Sequence, residues 1–371
     1  MDLDTHFDNV SGNTVAVIRL SRRMRVLSSA LMNGGETVTD TFLFMQVPKG
    51  YDNRDPLSEI AEVARVLDLP DDTVGFMTAA KVDKVFQTRE GGYNGAKASA
   101  AVTAGVCNAV VAGELIEDVE AILRPRVGTI NIVAISSSPL SKKAMVNAVM
   151  TVTEAKAAAL RDVGIDGTGT TSDSMAIVCP EGEGEEYCGT ATDIGIALSR
   201  AVRTAVADSI LANGDRPRSY DVFEVLKDHG ISEDDLWGAA VELYYPNPEW
   251  DTKVLEGMFR DALRVYAKDV NVNSMLLAAS RLERDGGLGM IGNLPRAMFE
   301  EDPVHLVADE MLGIALSQYI AGTRGLFEYT RYDKRKPGVI GILGPFMDDI
   351  VGALIGGIMS SIYTRMLEDG T

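Results

Sequence analysis

The sequence predicts two domains of different class: a mixed α/β (or α+β) domain over residues 1–212 and a mostly α-helical domain over 213–371. Three observations carry this. Up to about residue 211, β-branched or small-residue runs alternate with helical periodicity, whereas beyond 219 only helical patterns remain. Between them, Ala212-Asn213-Gly214-Asp215-Arg216-Pro217-Arg218-Ser219 collects the turn-forming and charged residues of a linker. The 371 residues and 46% apolar content suffice for two such cores.

In the first domain, strands are expected over 15–20, 39–47, 74–78, 100–112, 129–136 and 174–179, where Val, Ile, Thr and Ala predominate. Apolar residues at 3–4 spacing predict helices over 56–67, 141–163 and 193–211, with Gly164 placed to cap the second of these. The same spacing predicts helices over 222–227, 233–243, 254–268, 272–283, 304–319 and 348–367 in the second. The halves share no period, so an internal repeat is not expected.

A net charge of −19 opposes binding to nucleic acid or an anionic membrane without a local basic patch. The densest basic run, Arg331, Lys334, Arg335 and Lys336, is interleaved with Asp333 and suits one small phosphate, or is a solvated loop. Three cysteines without a C-x-x-C fit a reduced cytosol, and Met1-Asp2-Leu3-Asp4 does not open a signal peptide, so a cytoplasmic location is expected. The apolar stretch 350–364 falls short of the roughly 20 residues that span a bilayer and reads as a buried helix.

Candidate chemistry in the first domain lies in three segments. Strand alternation places Thr129 and Asn131 on one face, lining a site or facing solvent. Thr153, Glu154 and Lys156 decorate a helix, where a buried acid or base could titrate or a polar face could simply be solvated. Gly167-Thr168-Gly169-Thr170-Thr171-Ser172-Asp173 combines glycine backbone with hydroxyls, able to present N–H donors to an oxyanion or to serve as a plain turn. With His6 the domain's one histidine, a Ser-His-Asp engine is not expected.

With Asn33-Gly34-Gly35, Thr103-Ala104-Gly105-Val106-Cys107-Asn108-Ala109, Gly128-Thr129-Ile130-Asn131-Ile132 and Thr153-Glu154-Ala155-Lys156-Ala157-Ala158-Ala159-Leu160, that loop resembles the adenosylcobinamide amidohydrolase family over about 15–211. The resemblance implies hydrolysis of the aminopropanol amide of adenosylcobinamide to adenosylcobyric acid. On that basis Glu154 or Asp173 is the expected base. Lys156, Asn108 and Asn131 would polarise the carbonyl or orient substrate, while Thr168 and Thr170 belong to a loop contacting the corrinoid.

In the second domain, acidic pairs are weak signals, because 54 acids in 371 residues give about 8 adjacent pairs at random. Asp309-Glu310 and Asp348-Asp349 stand out because each joins an apolar helical run, where a carboxylate needs a partner. Hard oxygens of this kind suit Mg²⁺, although Asp348 could equally be a carboxylate favoured by its helix dipole. With Tyr332-Asp333-Lys334-Arg335-Lys336-Pro337-Gly338 and Phe346-Met347-Asp348-Asp349-Ile350-Val351-Gly352-Ala353, these pairs resemble the soluble branch of the phosphatidylglycerophosphatase A family over about 232–367. The resemblance implies a Mg²⁺ site of Asp309, Glu310, Asp348 and Asp349, with Asp333 and Asp349 in the chemistry, Lys336 on phosphate and Asn273 nearby.

A fusion of two such halves resembles the bifunctional CbiS type of archaeal enzyme, whose second activity dephosphorylates α-ribazole 5′-phosphate. The expected partners are these small substrates, with no nucleic acid or membrane and a homo-oligomer left open. Phosphatidylglycerophosphate as phosphatase substrate, or a first half that only binds corrinoid, are the alternatives.

Overall fold

The computed structural model describes residues 3–114, 128–215, 219–245 and 250–369. The chain folds into two compact units, Met1–Arg218 and Ser219–Thr371. The first is a mixed α/β sheet domain and the second is helical.

The strands of the first unit are β1 Leu3–Val10, β2 Asn13–Ser28, β3 Gly35–Gln46, β4 Val74–Thr78, β5 Gln87–Tyr93, β6 Ala96–Ala104, β7 Ala109–Val110, β8 Ile130–Ser136, β9 Gly169–Thr170 and β10 Ser174–Cys179. One sheet runs β4-β3-β2-β10-β8-β6-β5 with β1 added on β2, while β7 and β9 pair separately. The β3–β4 and β8–β10 pairs are parallel and the other pairs antiparallel. Among the described residues the unit also holds helices α1 Pro56–Val66, α2 Val82–Val85, α3 Lys142–Asp162 and α4 Asp193–Asn213.

Side-chain alternation builds cores on both faces of the sheet. Ala100, Val102, Ile132 and Ala134 pack with Ala148, Val152, Leu198 and Val202 of α3 and α4. The intervening Ala101, Val133 and Ile135 join Ile18, Phe42 and Phe44. Ser141 caps α3 by accepting from Ala144 N at 3.1 Å, and Gly164 (φ 72°) lies just past its end. Together α3 and its flanking turns carry the chain from β8 to its parallel neighbour β10, bringing the starts of these two strands side by side.

Several expectations are corrected. The run 100–112 is not one strand: β6 stops at Ala104, and a loop leads to the short β7, with Gly105 N bonded to Thr129 O. Ala212 and Asn213 belong to α4, which Gly214 ends in the left-handed region (φ 81°), so the expected linker begins inside a helix; its residues 216–218 lie outside the described residues. The solvent-facing alternative for Thr129 and Asn131 fails, because they are 4% and 2% exposed.

The second unit holds α5 Val222–Asp228, α6 Glu233–Glu242, α7 Thr252–Tyr266, α8 Val270–Gly287, α9 Arg296–Phe299, α10 Ala308–Arg335 and α11 Pro345–Asp369. Buried Met347, Ile350, Val351, Leu354, Ile358 and Met359 put α11 at its centre. This helix is longer than the sequence reading, and its Pro345–Glu368 portion is long and apolar enough to cross a membrane by length and composition. Two-thirds of that apolar window is buried inside the protein, as befits a core helix (67%).

Helix α10 reverses at Ala321 (φ −140°, ψ 21°) and Gly322 (φ 61°, ψ −150°). Its arms, 308–320 and 323–335, lie against one another: a Cβ on Gly313 would stand 2.6 Å from Tyr329 Oη, and one on Gly325 2.3 Å from Ser317 O. The basic run, for which a solvated loop was one of two readings, is the end of the second arm, up to Lys336 in the left-handed region (φ 42°).

Candidate functional site

At the paired starts of β8 and β10, the buried Lys156 of α3 forms an ion pair with Asp173. Their side chains are 9% and 11% exposed. Asp173 Oδ1 also accepts from Ile130 N (3.0 Å) and Thr170 Oγ1 (2.5 Å), and Oδ2 from Thr170 N (3.0 Å). With Lys156 Nζ on Oδ2, all of the roughly four acceptor positions of this carboxylate are filled. The sequence folds this way because Gly169 permits it: a Cβ there would stand 2.4 Å from Asp173 Oδ2 and 2.5 Å from Lys156 Nζ.

A cleft of about 400 Å³ opens beside the pair. Its polar wall includes Thr129, Asn131, Ser172, Asp173 and Ser174, and its apolar wall Leu31, Val47, Pro56 and Phe76. Thr129 Oγ1 bonds both the carbonyl and the hydroxyl of Ser172 at 2.7 Å. Asn131 Nδ2 donates to Met77 O at 2.8 Å and Thr103 Oγ1 at 3.4 Å.

The other proposed residues are placed differently. Asn108 is buried, donates to Thr171 Oγ1 at 3.1 Å and leaves Oδ1 buried without a partner. Thr168 is exposed and ties β9 to the segment after β7 by accepting from Ala112 N (2.9 Å). Glu154 is exposed on α3, two residues from Lys156 and therefore on another side of the helix, in a separate groove with Arg200 and Arg203. The structure thus joins Lys156, Thr170 and Asp173 and leaves Glu154 outside. The sequence reading missed Ser172 and its partnership with Thr129, although both lay in segments it singled out.

In the second unit, ligand atoms of Asp309, Glu310 and Asp349 all lie within 4.8 Å of one another. The arms of α10 contribute Asp309 and Glu310 from one side and Tyr329, which donates to Asp349 Oδ1 at 2.8 Å, from the other. Glu283 of α8 accepts from Phe346 N (3.0 Å) and Met347 N (3.2 Å), anchoring the start of α11 and with it Asp348 and Asp349. Asp348 turns to Lys336 Nζ, which also reaches Asp302 at 3.5 Å. Asp333 is half-buried and near enough for its charge to act on Asp348 and Asp349. Asn273 is spent on Val222 N and Ala267 O, and Arg331 on Glu328 and Leu243 O.

Burial pushes Asp309 up to about 8, helped by Glu310, and Asp349 up to about 7, helped by Asp348, Asp333 and Glu310. Burial likewise lifts Asp348 to about 7, outweighing the opposing pull of Lys336. Burial works against the charge of Lys336, but the Asp348 carboxylate holds its ammonium above the ordinary lysine value. The buried Glu310 Oε2 has no hydrogen-bond partner. Crowded carboxylates with an orphaned buried oxygen fit a small hard cation such as Mg²⁺, with Asp309, Glu310 and Asp349 as the residues to hold it.

Crowding of this kind makes stability depend on pH. A carboxyl whose folded value lies above its unfolded 3.8 binds more protons folded than unfolded, so stability falls as pH rises from about 4 to 8. With chelator present, the urea midpoint of the second unit's transition is expected to be higher at pH 6 than at pH 8. Equal midpoints would show that burial does not hold the three carboxyls above their ordinary values in the folded protein.

Residues 2–217 match the family model CbiZ, adenosylcobinamide amidohydrolase. The adenosylcobinamide amidohydrolase of Methanosarcina mazei is 28% identical over 194 residues, 50% of this chain and 89% of its own length. That of Halobacterium salinarum is 42% identical over 85 residues, 22% of this chain and 36% of its own. An uncharacterized protein of Methanocaldococcus jannaschii is 34% identical over 129 residues, 34% of this chain and 98% of its own. Among solved structures, the low temperature requirement C protein from Listeria monocytogenes aligns with 38% of this chain and 91% of its own at 23% identity, with a TM-score of 0.33, too slight a likeness to carry an argument. Through its sheet domain, more than half of its length, the chain belongs to the adenosylcobinamide amidohydrolase family.

Proposed function

We propose that the first unit hydrolyses the aminopropanol amide of adenosylcobinamide to adenosylcobyric acid in the cleft beside Asp173. The observation that carries this reading is Asp173, paired with Lys156 behind it and standing on the wall of a cleft sized for a ligand, within the segment matched to the family. Of the four donors on Asp173, the Thr170 hydroxyl is neutral and free to rotate. Exchanging it for a water molecule leaves the backbone bonds and Lys156 in place and sets that water against Oδ1. Asp173 then takes a proton as the water oxygen adds to the amide carbon, and returns it to nitrogen as the C–N bond breaks. Lys156 offsets the carboxylate charge and holds its orientation. Asn108 Oδ1, buried and unpartnered, is a substrate acceptor held close to this loop.

A second activity is favoured by the convergence of Asp309, Glu310 and Asp349 near Lys336. We infer a Mg²⁺-dependent phosphomonoesterase acting on α-ribazole 5′-phosphate, which makes the chain a bifunctional corrinoid-salvage hydrolase of the CbiS type. Bound Mg²⁺ would supply charge neutralisation for a phosphate. Lys336 would exchange Asp348 or Asp302 for a phosphate oxygen, and Asp333 would keep the neighbourhood acidic.

Aminopropanol release from adenosylcobinamide and phosphate release from α-ribazole 5′-phosphate, each with Mg²⁺ or with chelator, test the two halves separately. Both products are expected, with only phosphate dependent on Mg²⁺. Corrinoid binding without amide cleavage would replace the first assignment by a binding module. Preference for phosphatidylglycerophosphate would replace the second substrate. Mg²⁺ at 100 times its dissociation constant is also expected to stabilise the second unit by about 2.7 kcal/mol, measured by urea unfolding.

A further inference from the structure

We propose that the cleft of the first unit is the leaving-group subsite of the amide, where Asn131 accepts from the amide N–H and Ser172 from the aminopropanol hydroxyl. This rests on the amidohydrolase reading above. The hydrogen bonds around the two residues assign their free valences. Asn131 Nδ2 donates to a backbone carbonyl, Met77 O, and to Thr103 Oγ1, so both its protons are spent and Oδ1 is left as an acceptor. Thr129 has a single hydroxyl proton, and its bond to Ser172 O, a pure acceptor, consumes it. The contact between Thr129 Oγ1 and Ser172 Oγ must then be donated by Ser172, whose lone pairs remain for a ligand.

The lining and its charge narrow the ligand class. Thr129 directly precedes β8 and Asn131 is its second residue, with Ser172 bonded beside Thr129 and Ser174 in register with Asn131, so Asn131 Oδ1 and Ser172 Oγ are two neutral acceptors on one cleft wall. The aminopropanol amide offers one N–H and one O–H to such a pair of acceptors. No Lys, Arg or His lines the cleft among the described residues, and Tyr51 is bound to Glu59 Oε2 at 2.6 Å. A neutral donor-rich group is therefore matched there and an anionic one is not. The free valences assign Asn131 and Ser172 as specificity-determining residues for the hydroxylated amide.

The test compares adenosylcobinamide with its N-propyl amide analogue, which lacks the hydroxyl, on wild type and on Ser172→Ala. Ser172 is exposed, and the Thr129 bond to its carbonyl survives the substitution, so the variant should fold. Wild type is expected to prefer the hydroxylated amide by about tenfold in kcat/KM, the size of one hydrogen bond. Ser172→Ala should lose about that factor on adenosylcobinamide and none on the propyl amide, so that the preference collapses. Equal rates on both amides in wild type, or an undiminished preference in Ser172→Ala, would overturn the specificity assignment while leaving the amidohydrolase reading intact. Cleavage of neither amide by wild type would remove that reading and the subsite with it.

Discussion

Asp173→Asn is expected to lower amide hydrolysis by at least about 10²-fold, whereas Glu154→Gln should leave it within about twofold. The contrast comes from position. Asp173 lines the cleft and is held by Lys156, Thr170 and Ile130 N, while Glu154 is exposed in a different groove. An asparagine at 173 cannot take a proton, and its amide N–H₂ would confront donors wherever it turned. The substitution also strands the buried ammonium of Lys156, and breaking such a pair costs about 3–5 kcal/mol. Adding Lys156→Met to Asp173→Asn separates the two effects, because removing both charges restores much of the stability and none of the turnover. Urea unfolding with aminopropanol release on the three variants reads both. Wild-type turnover in a folded Asp173→Asn would eliminate it as the base.

How far the sequence reveals this fold depends on whether each element carries its own signal. β4 and β10 were legible to the residue because short apolar runs end at turn residues. β1 and β5 escaped, since β1 is largely exposed, β5 has no buried residue, and both are interrupted by charge, so that apolar alternation is weak. Their turns did carry a signal: Ser11-Gly12 joins β1 to β2, Asn94-Gly95 joins β5 to β6, and all four residues have the positive φ of tight hairpins. The run 100–112 was over-extended because small apolar residues do not mark where pairing stops, and β6 ends at Ala104, opposite the first residue of its antiparallel neighbour β8.

The sites show the same division. That Glu154 and Lys156 do not share a face was available from helical geometry, since positions two apart diverge by about 200°. That Lys156 meets Asp173 was not, because the contact depends on α3 packing against the sheet and on Gly169 admitting both side chains. In the second unit, the adjacency of Asp348 and Asp349 concealed a split: one faces Lys336 and the other Tyr329, as neighbouring residues on a helix must point apart. The break after residue 319 was legible, but the return of the second arm onto the first was not.

That return makes Gly325→Ala the substitution expected to damage the second unit most. Its Cβ would stand 2.3 Å from the backbone carbonyl of Ser317, which no side-chain rotation can relieve, so the arms of α10 must part. Overpacking of this kind costs about 1–3 kcal/mol, and here the displaced arm carries Tyr329, the hydrogen-bond partner of Asp349. Gly322→Ala attacks the same reversal by another route. At φ 61° and ψ −150° a side chain is strained even though nothing lies within 4 Å, at a cost of about 1–3 kcal/mol. Gly257→Ala, inside α7 with nothing within 4 Å, is the control and should gain about 0.5–1 kcal/mol from helix propensity. Because Asp309 and Glu310 sit on one arm and Tyr329 on the other, Gly325→Ala should also weaken Mg²⁺ binding by about tenfold, and Gly257→Ala should not. Urea unfolding and Mg²⁺ titration by calorimetry on the three variants decide the matter. Unaltered Mg²⁺ affinity in a folded Gly325→Ala would mean that the carboxylates hold their geometry without the hairpin, leaving the reversal a feature of packing alone.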